Sequence, residues 1–419
     1  MVANLFGDGM ADQSLPFDGL TADELRRRRG IKWRLHPSEV LPAWVAEMDF
    51  PLAPAVQDAI VTSVEIGDCG YGDPSALRRP VADWVDRMWG WTVDPVGIRP
   101  VPQVVTAMIA VLKAVTAPGD QVVIDVPAYP PFAQATSAAG RRPRLVPLTQ
   151  DTTGYRLNLV EIEQAYVEGA RVHLLCSPHN PTGAVFDAAQ LADLAQLATR
   201  HDVIVLSDEI YAPLVLDSVH TPFPVVSDAC HSVVFSSAGK TWNISALRAA
   251  FAIAGDARMA ELLERAIGPQ LMFQTGHLGV QATIAAFEHG QPWLDQVVAT
   301  VRRNRRLLAD LLPGRLRWTP PQAGYLAWLD CSAAELGPDP AEALLQRSRV
   351  AVTAGAPFEG PQADQHVRLN FGTGGPLLTE ILHRIRRSLG DTSAPPPSRP
   401  SSPEPVQPQT TDDRKGNQP

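Results

Sequence analysis

Residues 202–214, "DVIVLSDEIYAPL", begin as an apolar run and end in polar chemistry. Val203, Ile204, Val205 and Leu206 are followed at once by Ser207, Asp208 and Glu209. A strand buried on both faces would thus carry a carboxylate at its carboxyl end. The same design recurs: "QVVID" from Gln121, "RVHLLCS" from Arg171, "HSVVFSS" from His231 and "AAFAIAG" from Ala249 are apolar runs closed by Asp, Ser or Gly. Between several of them lie amphipathic stretches such as "DAAQLADLAQLATRH" from Asp187, with apolar residues at helical spacing. This alternation predicts an α/β layered domain built on a mainly parallel sheet.

The pattern changes after about Thr283. "WLDQVVATVRRNRRLLADLL" from Trp293 reads as a long helix, weaker strands follow near "GYLAWLD" and "HVRLNFG", and a last helix lies near "LTEILHRIRRSL". We expect a large domain over residues 46–283 and a smaller α+β domain over 284–390, with the N-terminal segment 1–45 packed against the latter. From Asp391 the chain reads "DTSAPPPSRPSSPEPVQPQTTDDRKGNQP", which has too little apolar surface to offset the entropy of ordering it, so 391–419 is expected to be a disordered tail.

Composition narrows the function. A chain of 419 residues with 45% hydrophobic content can bury a sizeable core. Its net charge of -9, with no Lys/Arg cluster interleaved with aromatics, argues against nucleic acid or an anionic membrane as partner. The start, "MVANLFGDGMADQ", lacks a basic region followed by an apolar one, and no apolar run approaches a membrane span, so a cytoplasmic location is expected. Cys69, Cys176, Cys230 and Cys331 form no C-x-x-C pair, which suggests neither a disulfide framework nor a metal site.

In open α/β sheets ligands bind at the carboxyl ends of strands. Four ends carry polar groups of different kinds: "PAYPPF" follows the Gln121 run, "SPHNPTG" the Arg171 run, "SDEIY" the Asp202 run and "SSAGK" the His231 run. They offer Tyr129, Asn180, Asp208, Tyr211, Ser237 and Lys240. Lys240 is notable because the chain has only four lysines and otherwise uses arginine for positive charge. Alone, it would read as a solvated surface residue, and Asp208 as a helix cap.

Together they can be read as the inventory that pyridoxal 5'-phosphate needs. That cofactor wants a carboxylate beside its ring nitrogen, for which Asp208 serves, and an amine to hold its aldehyde and later move protons, for which Lys240 serves. Its phosphate wants hydroxyl, guanidinium and free N–H donors, which Ser237, Arg248 and a helix start at Val104 and Val105 can supply. Asn180 and Tyr211 would donate to the ring oxygen, and Tyr129 would stack on the ring.

"SPHNPTG", "SDEIYAPL" and "SSAGKTWNISALR", in this order, resemble the fold-type I pyridoxal phosphate enzymes of aminotransferase class I/II, over almost all of Met1 to Gly390. The stretch "IKWRLHPSEVLPAWVAEMDFPLAPAVQDAI" further resembles the "KW...LPLWVADMDF" pattern of the MalY/PatB-type cystathionine beta-lyase branch. The resemblance implies a PLP-dependent transferase-like fold with a large and a small domain, and Lys240 and Tyr129 as catalytic residues. It also implies that Arg368, in "HVRLNFGT", binds the α-carboxylate of an amino-acid substrate, with Asn180 beside it. Tyr71, in "GYG", would reach the phosphate of a neighbouring subunit, which implies a homodimer with shared active sites.

Many lyases of this branch carry His where this chain has Tyr211, and Tyr is common there among aminotransferases. The resemblance therefore implies a carbon-sulfur β-lyase acting on L-cystathionine or a related cysteine S-conjugate, and leaves open an aminotransferase, a lyase for a specialised natural-product S-conjugate, and a regulatory binding protein on this fold.

Overall fold

Seven strands form the main sheet: β1 (Ile98–Val101), β2 (Gln121–Val126), β3 (Arg142–Pro147), β4 (Val172–Cys176), β5 (Ile204–Asp208), β6 (Ser232–Ser236) and β7 (Ala250–Ala254). In this computed structural model, which describes residues 17–227 and 229–391, they lie in the order β1-β7-β6-β5-β4-β2-β3. The first sixteen residues, and all of the tail expected over 391–419 except Asp391, lie outside the described residues. Neighbours from β6 through to β3 pair in parallel, and β7 runs antiparallel to both β6 and β1.

All five runs read from the sequence are strands of this sheet. The two strands without a counterpart there, β1 and β3, are its edges. Both contain proline, Pro100 in one and Pro143 with Pro147 in the other. A proline cannot donate to a sheet ladder, so it argues against a central strand but is tolerated at an edge. β4, β5 and β6 occupy the middle and are almost wholly buried, as runs with apolar residues on both faces require.

Helices cover the sheet. Among them, α1 (Val104–Val115) follows β1, and α2 (Ala188–Arg200) buries Leu191, Leu194, Ala195 and Ala198 on one face. α2 starts where the Asp187 carboxylate accepts the Gln190 backbone N–H at 2.8 Å, a cap that fixes the turn out of "SPHNPTG". A second sheet of four antiparallel strands follows, in the order β8 (Arg317–Trp318), β9 (Leu326–Asp330), β11 (His366–Asn370), β10 (Thr353–Ala354). It is flanked by the long helix α3 (Gln291–Leu311) and by α4 (Gly375–Ser388), which pack on each other. α3 buries Trp293, Leu294, Val297, Val301 and Leu308, while Arg302 and Arg305 reach the carbonyls of Leu216 and Pro321.

The N-terminal segment joins both parts. Leu41–Pro42 pairs in parallel with Val350–Ala351, and the Asn370 N–H donates to the Ala43 carbonyl at 2.8 Å. Beyond it, Met48, Asp49 and Phe50 are buried core. The reason is a buried ion pair: Lys32 Nζ lies 2.9 Å from Asp49 Oδ1, and Trp33 Nε1 donates to the same oxygen at 2.7 Å. Among the described residues no helix is long and apolar enough to cross a membrane.

Candidate active site

The strand register explains why distant polar residues meet. Cys176 at the end of β4 stands opposite Asp208 at the end of β5, and Asp208 stands opposite Phe235 near the end of β6. The chain then leaves all three strands on one side of the sheet, into "SPHNPTG", "EIYAPL" and "SAGKT". A cavity of about 320 Å³ opens there, and Val104, Val105, Tyr129, Asn180, Asp208, Tyr211, Ser237, Lys240, Arg248 and Arg368 all line it. Tyr71 does not: its side chain is fully exposed on its own chain.

Lys240 sits at the end of a single helical turn, Ala238–Thr241, capped by Ser237, whose Oγ accepts the Gly239 N–H at 2.9 Å. Its Nζ donates to the Ala46 carbonyl at 2.9 Å. Burial, then the nearby Arg368 guanidinium, pull its pKa down to about 8, against the smaller pull of Glu47 and Asp208. About a tenth of the amine is thus free near pH 7, far more than for an ordinary lysine.

Asp208 is buried, and one carboxylate oxygen accepts the Ile210 N–H at 3.0 Å. Burial raises its pKa to about 7, against the lowering effect of that bond. A carboxylate so placed gains most from a cation beside it. Tyr211 presents a buried hydroxyl that has no hydrogen-bond partner among the described residues, and burial pushes its pKa up. Tyr129 packs edge-on against Phe132, with ring centroids 5.6 Å apart, and burial raises its pKa too.

Arg368 projects from β11 and is buried, yet it pairs with no carboxylate among the described residues. Its Nη1 donates to Asn180 Oδ1 at 3.1 Å, its Nη2 makes long contacts to the Trp44 carbonyl (3.4 Å) and Thr353 Oγ1 (3.5 Å), and its Nε is unpartnered. The guanidinium lies 5.0 Å from the centroid of the Phe358 ring. A buried cation held by neutral groups alone is a receptor for an anion.

At the other end, α1 begins at Val104 with no side-chain cap, so its first N–H groups face the cavity unsatisfied. Arg248, whose backbone is left-handed (φ 55°), makes no ion pair among the described residues. The Ser237 hydroxyl already donates to the Ala249 carbonyl at 2.8 Å, so to serve a phosphate its proton would have to turn away from that bond.

These features fit pyridoxal 5'-phosphate. The helix N-terminus with Arg248 suits the phosphate, the unpartnered Tyr211 hydroxyl suits the ring oxygen, Asp208 suits a protonated ring nitrogen, and Lys240 suits the aldehyde. Arg368 remains free for a substrate carboxylate. Sequence reasoning missed the backbone of Val45 and Ala46, which lines the cavity, and Tyr325, whose hydroxyl also donates to the Ala46 carbonyl. A carbonyl carries no side-chain mark, and nothing in "GYLAWLD" points across the chain to residue 46. His179, His220 and His277 are structural, bonded to Thr182, Glu209 and Asp68 respectively.

Known proteins resemble this chain over most of its length. Residues 55–385 match the family model described as aminotransferase class I and II. A Mycobacterium leprae protein, named provisionally as a cystathionine beta-lyase, is 39% identical over 405 residues, covering 90% of this chain and 98% of that protein. The Bacillus subtilis cystathionine beta-lyase PatB is 32% identical, covering 84% of this chain and 93% of that protein. Among solved structures, a Corynebacterium diphtheriae protein named provisionally as a PLP-dependent beta-cystathionase superposes with a TM-score of 0.83 at 34% identity, covering 90% of this chain and 99% of that one.

Proposed function

Since this chain belongs to the aminotransferase class I and II family, we propose that it is a pyridoxal 5'-phosphate-dependent carbon-sulfur β-lyase that cleaves L-cystathionine or a related cysteine S-conjugate to pyruvate, ammonia and a thiol. The observation that carries the chemistry is the meeting of a half-buried amine, Lys240, a buried carboxylate, Asp208, and a buried guanidinium, Arg368, that pairs with no carboxylate among the described residues, around one cavity. The likeness to proteins named as cystathionine beta-lyases supports the choice of bond.

When bound, the cofactor supplies an aldehyde for the substrate amine and a ring that draws electrons from the substrate α carbon. Asp208 would keep the proton on the ring nitrogen, at the cost of its own. Asn180 and Tyr211 would hold the ring oxygen, Tyr129 would lie against the ring, and Ser237, Arg248 and the N–H groups of Val104 and Val105 would hold the phosphate. Arg368 grips the substrate α-carboxylate with Asn180 alongside, which orients the Cα–H bond for Lys240. The Lys240 amine takes that proton. Once protonated, Lys240, or the Tyr129 hydroxyl, can hand a proton to the departing sulfur.

Were Lys240 to pass its proton to the carbon of the cofactor's former aldehyde, and not to sulfur, the outcome after hydrolysis would be amino-group transfer, and Tyr211 in place of the branch's His favours that second reading. Product analysis with L-cystathionine and no keto acid separates the two. Pyruvate, ammonia and homocysteine formed over many turnovers establish elimination. A single conversion that resumes only when keto acid is added establishes an aminotransferase. A protein that fails to take up pyridoxal 5'-phosphate at all would defeat both and favour a binding role.

We further propose a homodimer in which Tyr71 reaches the phosphate of the neighbouring subunit. Its full exposure supports this, as do the exposed apolar side chains Ile66, five residues before it, and Phe273, four residues before His277. The segments that carry them are joined by the bond from His277 Nε2 to Asp68 Oδ2, 2.8 Å long.

A further inference from the structure

The Ala46 carbonyl oxygen takes two donors at once: Lys240 Nζ at 2.9 Å and the Tyr325 hydroxyl at 3.1 Å. That oxygen is held rigidly. Asn370 Nδ2 donates to the carbonyls on either side of it, Val45 at 2.6 Å and Glu47 at 2.7 Å. Asn243 clasps the next residue from both directions, accepting the Met48 N–H at 2.9 Å and donating to the Met48 carbonyl at 2.8 Å. Tyr325 is itself fully buried, and its ring meets Tyr211 edge-on at 5.9 Å between centroids. Segment 45–48 is thus fixed by groups that take no part in the chemistry, and Tyr325 is the one that shares an acceptor with Lys240.

We propose that the Tyr325 hydroxyl is a positioning group for Lys240, acting through the carbonyl oxygen to which both donate. The inference rests on Lys240 being the working amine of the proposed enzyme. A carbonyl oxygen has two lone pairs, and a donor on one draws density from the other. With Tyr325 in place, Ala46 is a weaker acceptor and favours a charged Lys240 less than an unshared carbonyl would. The tyrosine also fixes which lone pair remains, and therefore the direction in which Nζ points. Without the hydroxyl, Lys240 would be held more tightly to the wall and would keep its proton to higher pH.

The test is trace labelling of the full-length chain, before cofactor loading, with acetic anhydride across pH, with Lys240 read by peptide mass spectrometry and the exposed Lys113 as internal standard. In Tyr325→Phe the labelling midpoint of Lys240 rises by about half a pH unit or more, roughly a threefold gain in proton affinity. Incorporation of 3-fluorotyrosine at position 325, a stronger donor of nearly the same shape, moves the midpoint the other way and covers the case in which the Phe variant folds poorly. Trp33→Phe loosens the neighbouring stretch by removing the 2.7 Å bond from Trp33 Nε1 to Asp49 Oδ1, changes no charge, leaves the bonds to Ala46 and those of Arg368 in place, and should not move the midpoint. Midpoints unchanged at position 325, or an equal shift in Trp33→Phe, overturn the proposal. The readout uses neither substrate nor turnover, so its failure leaves the lyase reading standing, and a failed lyase assay leaves this midpoint untouched.

Discussion

Asp208→Asn should change how stability depends on pH, and in a calculable direction. In the cofactor-free chain burial raises the Asp208 carboxyl from 3.8 to about 7. Over that range the folded chain keeps a proton that the unfolded chain has lost, so stability falls as pH rises from about 4 and the full penalty is present above about 7. A shift of about three units corresponds to roughly 4 kcal/mol. Asparagine has nearly the same shape, keeps an oxygen for the Ile210 N–H and cannot ionise. Its advantage over wild type should therefore grow with pH and saturate near neutrality.

Urea denaturation of both proteins without cofactor, between about pH 5 and pH 8, is the assay, and the midpoint difference is the quantity to follow. Two other groups must be accounted for. Burial lowers His179 to about 4, which makes folding more favourable as pH rises through the weakly acid range, but it does so in both proteins and cancels in the difference. The lowering of Lys240 to about 8 has its effect at higher pH, where the unfolded lysine is still protonated and the folded one is not. A difference that stays flat from about pH 5 to pH 8 would mean that Asp208 is ionised at little cost, and the argument that it awaits a cation would fail. Pyridoxal 5'-phosphate, by bringing a cation to Asp208, should flatten the wild-type dependence.

Three further outcomes are expected. Arg368→Lys keeps the charge but loses the two-pronged contact, about 1.5–3 kcal/mol, so kcat/KM should fall by about 10- to 150-fold, mainly through KM; a change under about twofold would place the carboxylate site elsewhere. Lys240→Ala should keep the wild-type circular dichroism while losing both turnover and the visible absorbance that follows cofactor addition; undiminished turnover would remove Lys240 from the mechanism. Tyr71→Phe should weaken retention of the cofactor by about tenfold, the worth of one hydrogen bond to a charged group, although the residue does not touch its own chain's cavity; a wild-type protein that sediments as a monomer would refute the reasoning behind it.

The middle of the sheet was legible because of how its strands end. Runs such as "DVIVLSD" are apolar on both faces until the last residue or two, and parallel pairing then brings Cys176, Asp208 and Phe235 into line. Given that register, Asn180, Ser237 and Lys240, just past their own strands, must converge. Arg368 was less constrained, since it comes from the second sheet, and only the resemblance pointed to it. The edges β1 and β3 were hidden by their prolines.

What no sequence pattern could supply is the backbone wall of the cavity. In "LPAWVAEMDF" residues 41–43 and 48–50 are buried, while Trp44 to Glu47 are half-buried and contribute to the site a row of carbonyls. Each is bound by a side chain far away in sequence: Thr353 on Trp44, Asn370 on Val45 and Glu47, Lys240 and Tyr325 on Ala46. The constraint on the stretch is therefore to hold a bent backbone, in which the Glu47 N–H turns back to the Val45 carbonyl at 2.8 Å, in a fixed position between the two sheets. Asp49 serves that end through Lys32, because loss of either partner would leave a buried charge uncompensated and release the segment that carries Ala46. A residue buried in the core, without access to substrate, can thus govern where the working amine rests.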